Sequence, residues 1–217
     1  MLNGKGVEIF WVDELLSIGM NCTELEISLD DAIRAIQQLK EPHNRLFIEQ
    51  AADLLASCFQ AGNKLILAGN GGSLMDASHF AEELTGIFRQ KRKALPAIVL
   101  SEPGHMSCVA NDIGYDWVFS RGVEAFGKPG DLFIGLTTSG KSPNIINAFL
   151  RAKELGLKTI AFLGKDGGNL LGQADLELII GGFRYSDRIQ EAHMTAIHLI
   201  IQLMEQKLFA PQPLVYA

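Results

Sequence analysis

The sequence predicts an α/β fold with a doubly wound, five-stranded parallel sheet flanked by helices. Short apolar runs recur through the middle of the chain: "KLILAG" (64–69), "AIVLS" (97–101), "DLFIGL" (131–136), "KTIAFLG" (158–164) and "LELIIG" (176–181). Unbroken runs of this length mark strands buried on both faces. The segments between them are long enough for the crossovers that parallel strands need. With 217 residues, 47% of them hydrophobic, the chain has material for one large core and too little for two.

Ahead of the sheet, "SLDDAIRAIQQL" and "RLFIEQAADLLASCFQAG" space their apolar residues three and four apart, as helices do. Ser28 is the expected cap of the first and Gly62 the stop of the second. The first strand runs into "GNGGS" (69–73) and the third into "TTSGKS" (137–142), each followed by a helical pattern. Beyond the last strand, "DRIQEAHMTAIHLIIQLMEQKLF" is one long helix. Its apolar stripe is wide enough to meet a partner subunit as well as its own sheet. The tail, residues 210–217, is expected to wander over the surface.

A net charge of −6 gives no electrostatic reason to bind nucleic acid or an anionic membrane. The basic cluster of Arg89, Lys91, Arg92 and Lys93 reads as a solvated loop after a helix, available to gather an anionic substrate. Cys22, Cys58 and Cys108 are odd in number and lack metal spacing, as expected of reduced thiols in a cytoplasmic protein. No stretch has the length of a membrane span, and the N-terminus lacks the basic region of a signal peptide.

"GLTTSGKS" (135–142) satisfies the nucleotide phosphate-loop pattern, with Gly135, Gly140, Lys141 and Ser142 in place. Its hydroxyls suit a smaller ligand: Thr137, Thr138, Ser139 and Ser142 can all donate to one compact dianion at a helix N-terminus. The second half of a nucleotide site, an apolar strand ending in a magnesium-binding Asp, has only Asp166 to offer. The loop "GNGGS" lets backbone N–H groups approach an anion, but Leu74 replaces the third glycine of a dinucleotide fingerprint. Two strand–loop–helix units therefore echo one another as anion sites.

A second constellation is one that a nucleotide hydrolase does not need. His79 and Glu83, at i and i+4, share a helix face. Asp187, Gln190 and His198 lie on the C-terminal helix, where positions 190 and 198 differ by about 80° of rotation. Two imidazoles with carboxylate and amide oxygens can hold a borderline cation such as zinc. Taken singly, Glu83 also reads as half of a surface pair, and His193 or His198 as a hydrogen-bonded core histidine.

"AGNGGSLMDASHFAEELTG", "CVANDIG", "TTSGKS" and "RIQEAHMTAIH" together resemble the SIS-domain phosphoheptose isomerases. The resemblance covers residues 20–209 and implies interconversion of sedoheptulose 7-phosphate and D-glycero-D-manno-heptose 7-phosphate for cell-surface glycans. It also implies a homotetramer with active sites at subunit contacts and one zinc per subunit. By that resemblance the zinc ligands are His79, Glu83, Gln190 and His198. The substrate contacts it implies are Asn70, Gly71, Gly72, Ser73, Glu83, Asn111, Asp112, Thr137, Thr138, Ser139, Ser142 and Gln190. Where such enzymes usually carry an arginine four residues beyond the glutamate, this chain has Ile87. If the helix continues through Gly86, Ile87 shares the face of Glu83 and Arg89 turns away from it; the alternative is that Gly86 ends the helix and turns residue 87 away. Residues 1–19 have no family counterpart and are either an added element or a misplaced start.

An aldose–ketose exchange needs a base for the proton beside the carbonyl, stabilisation of the enediolate, and return of a proton to the neighbouring carbon. Glu83 and His198 are assigned to proton transfer, with Asp187 as an orienting group. Holding zinc competes with acting as a base, so either the ligand detaches on substrate binding or the metal is partly structural. Other readings are a nucleotide hydrolase, a non-catalytic SIS protein that binds the replication initiator, and an isomerase or sensor of another phosphosugar. The non-catalytic relatives lack the residues present here as Glu83 and His198.

Overall fold

In the computed structural model, which describes residues 22–209, unbroken apolar sequence becomes unbroken burial. Every residue of β1 (Leu65–Gly69) and β3 (Leu132–Thr137) is buried, and in β4 (Lys158–Gly164) only Lys158 is exposed. The remaining strands are β2 (Ala97–Val99), shorter than its apolar run and half-buried, and β5 (Leu176–Ile180), partly buried. Both lie at the edges of a five-stranded sheet of order β2-β1-β3-β4-β5, where one side of the strand has no neighbour. All four pairings are parallel; Ile66, for example, sits between Ile98 and Phe133. The expected doubly wound sheet is therefore present. The expected extension (1–19) and tail (210–217) lie outside the described residues.

Alternate strand residues feed two cores, as a period of two requires. Leu65, Leu67, Leu132 and Ile134 pack with α1 (Cys22–Gln37), α2 (Pro42–Gln60), α3 (Gly72–Thr85) and α7 (Ser186–Leu208). On the other face, Ile66, Ala68 and Phe133 pack with α4 (Pro103–Asp112), α5 (Val118–Phe126) and α6 (Pro143–Glu154). Because β1 is followed by α3 on one face and β3 by α6 on the other, the winding reverses between these neighbouring strands. Open parallel sheets bind ligands at such a point, beyond the strands' C-terminal ends.

Pro42, Pro103 and Pro143 open their helices, where the missing N–H would have had no partner. Glu102 caps α4 by accepting the N–H groups of Gly104 and His105, which hold its carboxyl below the usual range. α2 ends as expected, with Gly62 at φ 76° and the Asn63 N–H bonded back to Cys58.

Two expectations are corrected. α1 begins at Cys22, so Ser28 lies inside it and is not its cap; the Ser28 carbonyl instead accepts the Arg188 guanidinium at 3.0 Å. Along α7, Ile189, Ala192, Ala196, Ile197, Ile200, Ile201 and Met204 are buried within the chain, while Leu199 is exposed. α1 carries a run of exposed apolar residues, Leu25, Ile27, Leu29 and Ile33, all more than half exposed. Finally, Arg92 is no solvated loop residue: its side chain is 1% exposed and ion-paired with Glu205.

Among the described residues no helix is long and apolar enough to cross a membrane. Cys58 is buried and Cys108 exposed, both as free thiols.

Candidate functional site

At the C-terminal edge of the sheet, the starts of α3, α6 and α7 converge on a cleft of about 170 Å³. Its side-chain hydroxyls come from Ser73, Thr137, Thr138, Ser139, Ser142 and Ser186, with the Asn70 and Gln190 amides beside them. Among the described residues no lysine or arginine lines it. The positive potential is that of helix N-termini, each worth about half a unit charge, and hydroxyl donors with helix ends suit a phosphate dianion.

The cleft is held in shape by its own polar groups. Thr137 Oγ1 accepts the Gly140 N–H at 3.2 Å, and the Thr138 and Ser186 hydroxyls are 3.0 Å apart. Asn70 and Asn144 exchange two amide hydrogen bonds of 2.9 and 3.0 Å, which tie the loop after β1 to the loop after β3. Tyr115 donates to Asn70 Oδ1 at 3.1 Å from the outer side. A Cβ at Gly72 would come within 2.6 Å of the Gln190 amide, so glycine here leaves that side chain its place in the cleft.

The nucleotide-loop letters have another explanation. Lys141 is exposed and faces Asp166, 3.8 Å away, and it does not line the cleft. Gly140 has φ 61°, and a Cβ there would overlap the Gly167 carbonyl, so the glycine serves contact between two loops.

Further along α3 a second group forms. The Nε2 atoms of His79 and His198 are 2.9 Å apart, and Glu83 Oε1 is 3.5 Å from His79 Nε2. One ligand atom from each of the three residues lies within 4.8 Å of the others. Two facing imidazole nitrogens can coexist only with a proton between them or a shared cation. Two nitrogens and a carboxylate oxygen form a donor set for a borderline metal such as zinc. Burial pushes the His198 pKa down, the His79 imidazole lowers it further, Glu83 opposes this, and the charge of Arg89 adds a smaller downward push. One turn before His79, burial raises the Asp76 carboxyl to about 6 against the opposing pull of His79.

Not every expected residue joins these two groups. Gln190 lines the cleft, with Nε2 3.5 Å from Ser73 Oγ. Asn111 and Asp112 are exposed at the end of α4, where Asn111 donates to Asp112 at 2.7 Å. Asp187 is turned to Arg188, whose hydrogen bonds hold its carboxyl below the usual range. It stands eleven residues from His198, about 16 Å along α7. Within one chain Asp187 therefore does not orient the His198 ring.

Of the two alternatives for Ile87, the structure has the one in which Gly86 ends the helix. α3 ends at Thr85 and the Gly86 backbone turns away (ψ −134°), leaving Ile87 59% exposed and off the helix. The argument that turned Arg89 away from the site, which needed a continuing helix, fails. Phe88 stacks on the His198 ring (5.8 Å, 24°), and the Arg89 guanidinium lies 5.2 Å from the Phe88 ring centre.

Sequence reasoning missed Ser186, Asn144 and Asp76. Ser186 had a signal, since it opens a helix that follows a strand, as the other two loops do. Asn144 had none, because its partner lies 74 residues away.

The SIS domain family matches residues 29–164. A phosphoheptose isomerase of Vibrio cholerae is 52% identical over 181 residues, covering 83% of this chain and 95% of that protein. One from Fusobacterium nucleatum is also 52% identical, over 171 residues, covering 79% of this chain and 88% of the relative. The structure of a phosphoheptose isomerase from Neisseria gonorrhoeae superimposes with a TM-score of 0.78 at 34% identity, covering 85% of this chain and 98% of that one. With its sheet order, hydroxyl-lined cleft and histidine–glutamate cluster, the chain belongs to the SIS-domain family, among the phosphoheptose isomerases.

Proposed function

We propose that the protein is an aldose–ketose isomerase that converts sedoheptulose 7-phosphate to D-glycero-D-manno-heptose 7-phosphate, in the cytoplasm, for heptose used in cell-surface glycans. One observation carries the reading: a cation-free hydroxyl cleft at the start of α3 and the His79–Glu83–His198 group further along it. From Ser73 to His79 is six residues, about 9 Å along the helix axis. An extended heptulose reaches a comparable distance from its C7 phosphate to its C1–C2 end. The relatives named as phosphoheptose isomerases support the same substrate.

In this reading the phosphate takes hydroxyl hydrogen bonds from Thr138, Ser139, Ser142 and Ser73, and backbone N–H groups from Gly71 and Gly72. Thr137 keeps the loop in shape while Asn70 and Gln190 meet the sugar. Asn111 and Asp112 stand on the segment that Tyr115 ties to Asn70, at the rim. Glu83 removes the proton from C1 of the ketose and returns it to C2, while His198 passes a proton to the C2 oxygen and regains one from the C1 hydroxyl. The low pKa of His198 suits it to start neutral and cycle through its charged form. His79, Glu83 and His198 would hold zinc, and the bound ion would polarise the substrate oxygens; Gln190, eight residues and about 12 Å along α7 from His198, sits at the cleft and is not a ligand within the same chain.

The exposed apolar stripe of Leu25, Leu29 and Ile33 on α1 supports assembly into a homotetramer, in which a second copy of the helix would cover it. A non-catalytic scaffold of this fold has no use for two histidines and a glutamate converging beside a phosphate site.

The test is incubation with a panel of phosphorylated ketoses and aldoses, read by product analysis. Conversion of sedoheptulose 7-phosphate in preference to shorter sugars is expected. Conversion of a different phosphosugar alone would move the substrate, and conversion of none would overturn the reading.

A further inference from the structure

Arg92 closes the loop that follows α3, and its guanidinium is enclosed on every side. Nε donates to Glu205 Oε1 at 2.6 Å, Nη2 to the Glu83 carbonyl at 2.7 Å and Nη1 to the Leu84 carbonyl at 2.8 Å. Nη1 also reaches the Gly86 and Lys93 carbonyls, each at 3.2 Å. Glu83 and Leu84 sit in the last turn of α3, where carbonyls have no N–H partners within the helix. Arg92 supplies those partners.

Glu205 lies on α7, seven residues beyond His198. Seven residues make two turns short of about 20°, so both side chains leave the same face of α7, about 10 Å apart along its axis. One buried guanidinium therefore fastens the turn that carries Glu83 to the helix face that carries His198. Phe88, within the same loop, rests on the His198 ring.

Such a pair is a poor device for stability alone. Desolvating both charges offsets most of their attraction, and a well-packed apolar pair would serve the core as well. What the planar fork adds is direction: its donors fix a backbone turn and a carboxylate at once, which a lysine cannot do. We infer that Arg92 and Glu205 are positioning residues that set the spacing of His79, Glu83 and His198 across the two helices. The inference rests on the site reading given above; its main readout, zinc affinity, does not depend on which sugar is converted.

The test compares Arg92→Lys, Arg92→Gln and Glu205→Gln with wild type in zinc affinity by chelator competition, kcat, KM and melting temperature. Asp131→Asn is the control; it weakens another buried ion pair, with Lys64, beside the start of β3 and on neither helix. Arg92→Lys keeps the charge and loses the fork, so zinc should bind about tenfold or more weakly and kcat should fall by a similar factor at near-constant KM. Arg92→Gln should lose at least as much, and Glu205→Gln less, because its amide oxygen can still accept from Nε. Asp131→Asn should lower the melting temperature while zinc affinity and kcat per folded chain stay within about twofold. If Arg92→Gln fails to fold, Arg92→Lys decides alone. Arg92→Lys with a lower melting temperature but wild-type zinc affinity and kcat would reduce the pair to a structural brace and overturn the inference. Wild type that binds zinc but converts no sugar would overturn the proposed function, leaving zinc affinity as the test of the brace.

Discussion

Two histidines five residues apart on α7 show how one residue type takes opposite roles. His193 is wholly buried, and its Nε2 is 2.9 Å from the Leu163 carbonyl, the geometry of a core histidine donating its ring N–H. Burial pushes its pKa from 6.5 to about 4, the Leu163 bond only partly opposing this. Between those values the unfolded chain binds a proton that the folded chain refuses, so stability falls as pH falls. The contribution is intact above pH 6.5 and lost towards pH 4, by up to about 3 kcal/mol at about 1.4 kcal/mol per unit. His193→Gln can still donate to Leu163 but cannot gain a proton. Urea melts from pH 7 to 4.5 should therefore show a shallower loss of stability in this variant than in wild type; parallel losses would assign the acid sensitivity elsewhere. At the cleft, Thr138→Val removes a hydroxyl and keeps the shape. Binding of the phosphorylated sugar should weaken by about 1.5–3 kcal/mol, the worth of a hydrogen bond to a charged group, with the unphosphorylated sugar hardly affected. Calorimetry showing equal losses for both would place the phosphate outside this loop.

Among the elements, strands and long helices were legible because their signals are local. Continuous apolar runs marked β1, β3 and β4 as buried, and three- and four-residue spacing marked α2 and α7. Helix ends were less so: Ser28 looked like a cap, yet "NCTELEI" continues the helix back to Cys22. The site was legible where chemistry sits at short range, as with His79 and Glu83 at i, i+4. It was illegible where partners meet only in space, as Asn70 meets Asn144, or Arg92 meets Glu205 across 113 residues. The end of α3 at Thr85 has its own consequence. Ile87 stands off the helix and exposed, whereas Arg89 lies beside Phe88 and its charge reaches His198. Arg89→Ala should raise KM severalfold, and Ile87→Arg should change it by less than about twofold. Steady-state kinetics showing the reverse order would return the substrate contact to position 87.

For the whole molecule, the distribution of apolar surface separates folding from assembly. Most apolar residues of α7 are absorbed into the core, while α1 offers Leu25, Leu29 and Ile33 outward, one stripe at four-residue spacing. Leu29→Glu with Ile33→Glu should split the proposed tetramer into smaller species by light scattering with far-UV helicity retained, because exposed positions carry little of the monomer's core. An unchanged mass would move the interface to another face.

The proposed reaction requires that the phosphate cleft and the histidine–glutamate pair act on one sugar. It is tested most directly by NMR of sedoheptulose 7-phosphate and unphosphorylated sedoheptulose incubated with wild type, Glu83→Gln and His198→Asn. Wild type should form the mannoheptose phosphate, turn over the unphosphorylated sugar far more slowly, and lose about a hundredfold or more in rate with either substitution while the fold is kept. Conversion by Glu83→Gln at a near wild-type rate, or equal turnover of the two sugars, would contradict it.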